Sequence, residues 1–113
     1  MSSQTIQETQ PNIQEPQTAN EYLQRAWLHL AKRESAEAEM DFKQVLMLND
    51  QIADAYYGLG LTNLEQGHQD TAMNAFQQAL DLINSRLIKE EPQQGTVLRN
   101  LTISQIRMLE NGG

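Results

Sequence analysis

Apolar residues first recur at helical intervals at Tyr22, Leu23, Ala26, Trp27 and Leu30. Steps of three and four place them on one face of a 3.6-residue helix. Thr18 and Glu21 have the spacing of a capping box, so this helix should begin near Thr18. Lys32-Arg33-Glu34 and Ser35 interrupt the pattern, and a second helix follows with Ala38, Phe42, Val45, Leu46 and Leu48. Asn49-Asp50 is expected to end it and cap the next. The third helix carries Ala53, Tyr56, Leu59, Gly60 and Leu64, with Gly67 where a C-terminal glycine should stop it. The fourth starts near Asp70 and carries Ala72, Ala75, Phe76, Ala79, Leu80, Ile83 and Leu87, running past Arg86. Pro92 and Gly95 should then break the chain. A last helix is predicted near Thr96–Glu110, with Val97, Leu98, Leu101, Ile106 and Leu109, and Asn111-Gly112-Gly113 should fray. Residues 1–18 lack this periodicity. They are rich in Gln, Thr, Ser and Pro, and only Ile6 and Ile13 are strongly apolar. Such a segment buries too little surface to offset its ordering entropy, so a disordered tail is expected. A short docking peptide around Ile6 or Ile13 is the functional alternative.

Displaced by 34 residues, the chain overlays on itself. Ala19 meets Ala53, Tyr22 meets Tyr56, Leu30 meets Leu64, Ala38 meets Ala72 and Phe42 meets Phe76. Gln44, Leu46 and Leu48 meet Gln78, Leu80 and Leu82. Most of these coincidences fall where a core is expected, so the period belongs to the packing. A fixed period of this length with two helices per unit marks a helical repeat array. The second unit reads Tyr56-x2-Leu59-Gly60-x2-Asn63, then Gly67, then Ala72-x3-Phe76 and Ala79. The first reads Tyr22-x2-Arg25-Ala26-x2-His29, then Ala38-x3-Phe42. Small residues such as Ala26, Gly60, Ala38 and Ala72 let two helices approach, and Phe42 and Phe76 fill the space beside them.

These residues resemble the pattern of the tetratricopeptide repeat (TPR) family over 19–86, more closely in the second unit. The first unit departs at Arg25 and His29, and Asp50 and Asn84 stand where a terminal proline is common. The resemblance implies an all-α, TPR-type superhelix of antiparallel helix pairs, about five helices in all. It divides the chain into a tail at 1–18, one repeat at 19–52, a second at 53–86, and a helix extension, linker and capping helix at 87–113. The capping helix is expected to set Val97, Leu98, Leu101 and Leu109 on the second repeat. Pairing of that helix with another chain is the alternative. The family binds segments along the concave face of its first helices. That face here would carry Asn20, Leu23, Trp27, Leu30 and Ala31 from one unit and Asp54, Tyr57, Leu61, Leu64 and Glu65 from the other. A subclass that binds chaperone tails uses Lys and Asn on this face. Leu23, Trp27, Tyr57 and Leu61 stand at those places, so that carboxylate clamp is absent. The resemblance therefore points to partner binding by Asn20, Leu23, Trp27, Asp54, Tyr57, Leu61 and Glu65. An apolar groove suits an amphipathic helix or an extended apolar segment. Trp27 and Tyr57 are the natural anchors, or else core residues.

Composition narrows the rest. The net charge is −7, and the eight Lys and Arg are scattered. Phosphate binding needs clustered cations, so nucleic acid and anionic membrane are not expected partners. The acidity reads first as solubility. No apolar run approaches the roughly 18 residues that span a bilayer. There is no cysteine, which excludes disulfides and thiolate chemistry and fits a reducing, cytoplasmic setting; no secretory signal is visible either. His29 and His68 lack ligand spacing, Glu37, Glu39 and Asp41 read as a solvated face, and no nucleophile motif or P-loop is present. The Asn100-Leu101-Thr102 sequon lies in a predicted helix. The expectation is a non-catalytic interaction module, an adaptor or assembly factor without cofactor or metal. The second reading is a structural self-assembly module, a homo-oligomer or fixed subunit joined through exposed apolar helix faces.

Overall fold

The structure, a computed structural model, describes residues 15–87 and 92–112. Those residues form α1 (Ala19–Ala31), α2 (Ser35–Leu48), α3 (Ala53–Glu65), α4 (Gln69–Leu87) and α5 (Pro92–Gly112), with no strand among them. Each helix packs on the next in chain order, and α1 also touches α3. Residues 1–14 of the expected tail at 1–18, with the docking alternative at Ile6 or Ile13, and residues 88–91 of the expected linker lie outside the described residues.

The start of α1 follows from local chemistry. The Thr18 hydroxyl accepts from the Glu21 N–H at 3.1 Å, while the Glu21 carboxylate accepts from the N–H groups of Gln17 and Thr18 at 2.8 and 3.2 Å. These bonds satisfy donors that the first helical turn leaves open. They favour the ionised acid, so the Gln17 amide first, then Thr18, holds the Glu21 carboxyl below its usual range. At the other boundaries the structure corrects the sequence reading. α2 does end at Asn49, but Ile52, not Asp50, is the N-cap of α3 and makes no side-chain cap. The Asn49 side chain instead accepts from the Gln51 N–H at 3.0 Å and shapes the connection. Pro92 does not break the chain; it opens α5, where a missing N–H costs nothing. α5 then continues through Gly95 to Gly112, longer at both ends than expected.

The turn inside each helix pair shows the period at atomic detail. Gly67 N–H donates to Leu64 C=O at 3.0 Å and His68 N–H to Asn63 C=O at 2.8 Å. The same bonds recur 34 residues earlier, Arg33 to Leu30 at 3.0 Å and Glu34 to His29 at 2.8 Å. This closure needs a left-handed residue just past the helix. Gly67 supplies it at φ +82°, and Arg33 is held in the same region at φ +65°. A side chain there costs roughly 1–2 kcal/mol. Arg33→Gly is therefore expected to raise stability by about 0.5–1 kcal/mol in denaturant melts, after loss of the exposed Arg33–Glu65 pair, which is worth little. An unchanged or lowered midpoint would show that the pair outweighs the backbone strain.

Two clusters form one continuous core. Ala26, Ala38, Phe42, Val45, Ala55, Leu59 and Ala75 join α1 through α4. Tyr57, Ala72, Phe76, Ala79 and Ile106 join α3, α4 and α5, and Trp27 packs against both clusters. A Cβ on Gly60 would overlap the Phe76 ring, and one on Gly58 would overlap the Phe42 ring. Gly60 thus closes the α3–α4 pair as expected. Gly58, not anticipated from the sequence, seats α2 of the first pair against α3 of the second.

Asp41 is not on a solvated face but 5% exposed, and it accepts from Arg25 Nε at 2.7 Å and Nη2 at 2.9 Å. Glu39 is also engaged, accepting from the Gln66 amide at 3.0 Å and facing Lys43 at 3.2 Å. The Gln66 bond leads in holding the Glu39 carboxyl below its usual range. On α5, Leu98, Ile106 and Leu109 pack on the second cluster as a cap would. Val97 and Leu101 do not: they are 65% and 47% exposed.

Candidate functional site

α1, α3 and α5 leave a trough between them. Its main recess, about 540 Å³, is lined by Leu30 and Ala31 at the end of α1, Arg33 in the turn, Leu61, Leu64 and Glu65 at the end of α3, and Gln105 of α5. A second recess of about 220 Å³ continues along α5 through Met108, Leu109 and Gly112 to Gln69. Both are lined by Leu64 and Gln105, so they form one cleft. The helical period puts these residues together. Leu30 and Leu64 are one repeat apart, and each sits one turn before its turn residue, so the two pairs present the same side chain at the same height. Arg33 Nη1 meets Glu65 Oε2 at 2.8 Å and ties the two pairs across the rim.

The seven residues expected to bind a partner divide. Leu61 and Glu65 line the cleft. Trp27 is half-buried, edge-on to Phe42 with ring centroids 4.9 Å apart, and touches both core clusters. Leu23 is half-buried against the first cluster. Asn20 and Asp54 are exposed near the N-terminal ends of α1 and α3, one repeat apart and away from the recess. Tyr57 is 9% exposed and packs on Phe76 at a centroid separation of 5.6 Å. It is core and not an open anchor, which corrects the expectation for it. The sequence reading missed Arg33 and Gln105. Arg33 was legible as the counterpart of Gly67, whereas Gln105 depended on how α5 rotates against α4.

The chemistry available is adhesion. The lining mixes aliphatic side chains with two amides, Gln69 and Gln105, and one neutralised ion pair. Among the described residues no group of His, Asp and Glu is placed to hold a metal ion, and no helix is long and apolar enough to cross a membrane. Every buried side-chain polar atom among them has a partner. The Thr62 hydroxyl and Asn63 amide, for example, both donate to Leu59 C=O at 2.9 Å.

Antiparallel helix pairs that repeat their turn hydrogen bonds and seat small residues against phenylalanines define a class: an all-α helix-pair repeat protein. The model of the tetratricopeptide repeat matches residues 53–86, the unit formed by α3 and α4. That match and the five-helix fold support a tetratricopeptide-repeat protein. That repeat is typically a non-catalytic protein-interaction element, so protein partners and a binding role follow in general terms. No curated protein matches the chain.

Proposed function

We propose that this protein is a cytoplasmic adaptor or assembly factor that holds an apolar or amphipathic segment of a partner protein in the cleft between α1, α3 and α5, without catalysis. Residues 19–52 act as its first repeat, 53–86 as its second, and α5 as the third wall. The observation that carries this reading is the set of aliphatic side chains in the cleft, Leu30, Ala31, Leu61, Leu64 and Leu109, interleaved with the polar Arg33, Glu65 and Gln105. A partner's apolar side chains gain by leaving water there, at roughly 25 cal/mol per Å². The Gln105 amide and the Glu65 carboxylate can hydrogen-bond the segment's polar edge, and such convergent polar groups fix a ligand's orientation. Leu61 and Glu65 are the predicted contacts that line the cleft; Asn20 and Asp54 would meet only a longer ligand.

Ala31→Arg tests the reading. Ala31 is exposed at the last turn of α1, where a cation suits the helix dipole, so the melting midpoint should move by no more than about 0.5 kcal/mol equivalent. Capture of the partner in pull-downs should be lost. Met47→Ala, at an 80% exposed position on α2 outside the cleft, should leave capture intact. Equal capture by wild type and Ala31→Arg would remove the cleft from the binding site.

A further inference from the structure

The cleft lies within reach of the chain's own N-terminal segment, and only one of that segment's isoleucines can enter it. Pro16 is buried and the Gln17 N–H is bonded to Glu21, so the segment is rooted beside the start of α1. The cleft is at the other end of that helix. Leu30 and Ala31 stand about 17 Å along the axis from Ala19, and residues 16–18 add at most about 10 Å. Ile13, three residues before Pro16, reaches about 10 Å and falls short. Ile6, ten residues before Pro16, reaches about 33 Å and spans the distance.

We propose that Ile6 of the same chain docks in the cleft between Leu30, Leu61 and Leu64 and competes there with the partner, which rests on the cleft being the binding site proposed above. Charge supports this occupant. Glu8 is the only charged side chain among residues 1–14, and it stands two residues from Ile6. Arg33 lines the recess with its side chain 78% exposed. Its bond to Glu65 engages Nη1, one nitrogen of a guanidinium that carries five donors. With Ile6 seated, the Glu8 carboxylate is about 7 Å along the chain and within reach of that guanidinium. Thr5 and Gln7 flank Ile6 and bring hydrogen-bonding groups to Gln105. The tether adds the rest. A segment joined to its site by a short stretch of chain is present there at an effective concentration on the order of 1 mM. An affinity too weak to hold a free segment therefore still fills the cleft, and a partner must displace Ile6 to bind.

The chain has no cysteine, so paired thiols locate the segment. In dilute solution under mild oxidation, Q7C with Q105C should close an intrachain disulfide about tenfold faster than Q7C with M47C, the ratio of effective concentrations at the two sites. Met47 is 80% exposed and, by the pairing of Arg25 with Asp41, level with the start of α1. A segment with no preferred seat would favour it. Adding Ile6→Glu should abolish the preference for Q105C, and adding Ile13→Glu should leave it. Equal or faster closure with M47C, or a preference that survives Ile6→Glu, overturns the proposal. Disulfides that join two chains overturn it too, by giving the cleft to another copy's segment. Capture is read separately. If Ala31→Arg loses the partner while no disulfide preference exists, the cleft binds a partner and Ile6 does not occupy it.

Discussion

Phe76→Ala will lower the unfolding free energy by about 3–5 kcal/mol, and Gly60→Ala, a change that ordinarily favours a helix, will also destabilise. Phe76 is fully buried and touches residues of α3, α4 and α5. Its ring occupies the space that the absent side chain of Gly60 leaves open. Removing the ring leaves a void in a chain with few layers to collapse into it. The loss is comparable to the whole stability of a weak domain, about 5 kcal/mol. For Gly60→Ala two effects compete. Alanine gains about 1 kcal/mol of helix propensity. Overpacking costs about 1–3 kcal/mol, and the rigid, enclosed ring has nowhere to move, so overpacking wins. The double variant separates the causes. With the ring gone, the new methyl enters the void, and Gly60→Ala should become neutral or stabilising. Urea melts of the four proteins measure this coupling. If Gly60→Ala destabilises equally in both backgrounds, the glycine matters for its backbone and not for the ring it admits.

This contact also shows what a sequence can reveal. Gly60 and Phe76 were readable because a repeat shows its core twice: Ala26 is the counterpart of Gly60 and Phe42 of Phe76. The capping box at Thr18 and the left-handed Gly67 were readable because local hydrogen bonding decides them. What stayed hidden depends on contacts distant in sequence. Gly58 faces Phe42 across the boundary between pairs, and no counterpart marks it, since Gln24 stands one period earlier. Tyr57 fits a groove position by register, yet its length carries the ring to Phe76. The helical period of α5 shows a wide apolar arc but cannot say which half α4 takes, so Val97 and Leu101 were placed inside. The register sets the expected groove on α1 and α3, while the recess lies at their C-terminal ends and is completed by Gln105, which only the docking of α5 brings there.

Arg25→Leu alone will destabilise by about 3 kcal/mol, and adding Asp41→Ala will restore most or all of the loss. The period supplies the reason. Thirty-four residues on, Leu59 and Ala75 occupy the places of Arg25 and Asp41, and both belong to the core. The first pair of helices therefore holds a two-bond ion pair at 2.7 and 2.9 Å where the second holds an apolar contact. The partners are unequally covered: the Arg25 side chain is 36% exposed and that of Asp41 7%. Removing Asp41 lets the guanidinium turn to water, so Asp41→Ala should cost only about 1 kcal/mol. Removing Arg25 strands a buried carboxylate, a loss of about 3–5 kcal/mol when nothing compensates. His29 Nε2, 3.8 Å from Asp41, and the partial exposure of the pair set the expected cost at the lower end. The double variant recreates the Leu59–Ala75 solution, and such replacements of buried pairs are often neutral or stabilising by 1–4 kcal/mol. Melts of the full cycle decide it. A double variant as unstable as Arg25→Leu would mean that the ion pair positions α1 on α2 in a way an apolar contact cannot. The first pair would then not be interchangeable with the second, and the equivalence of the two units would be limited to their turns and phenylalanines.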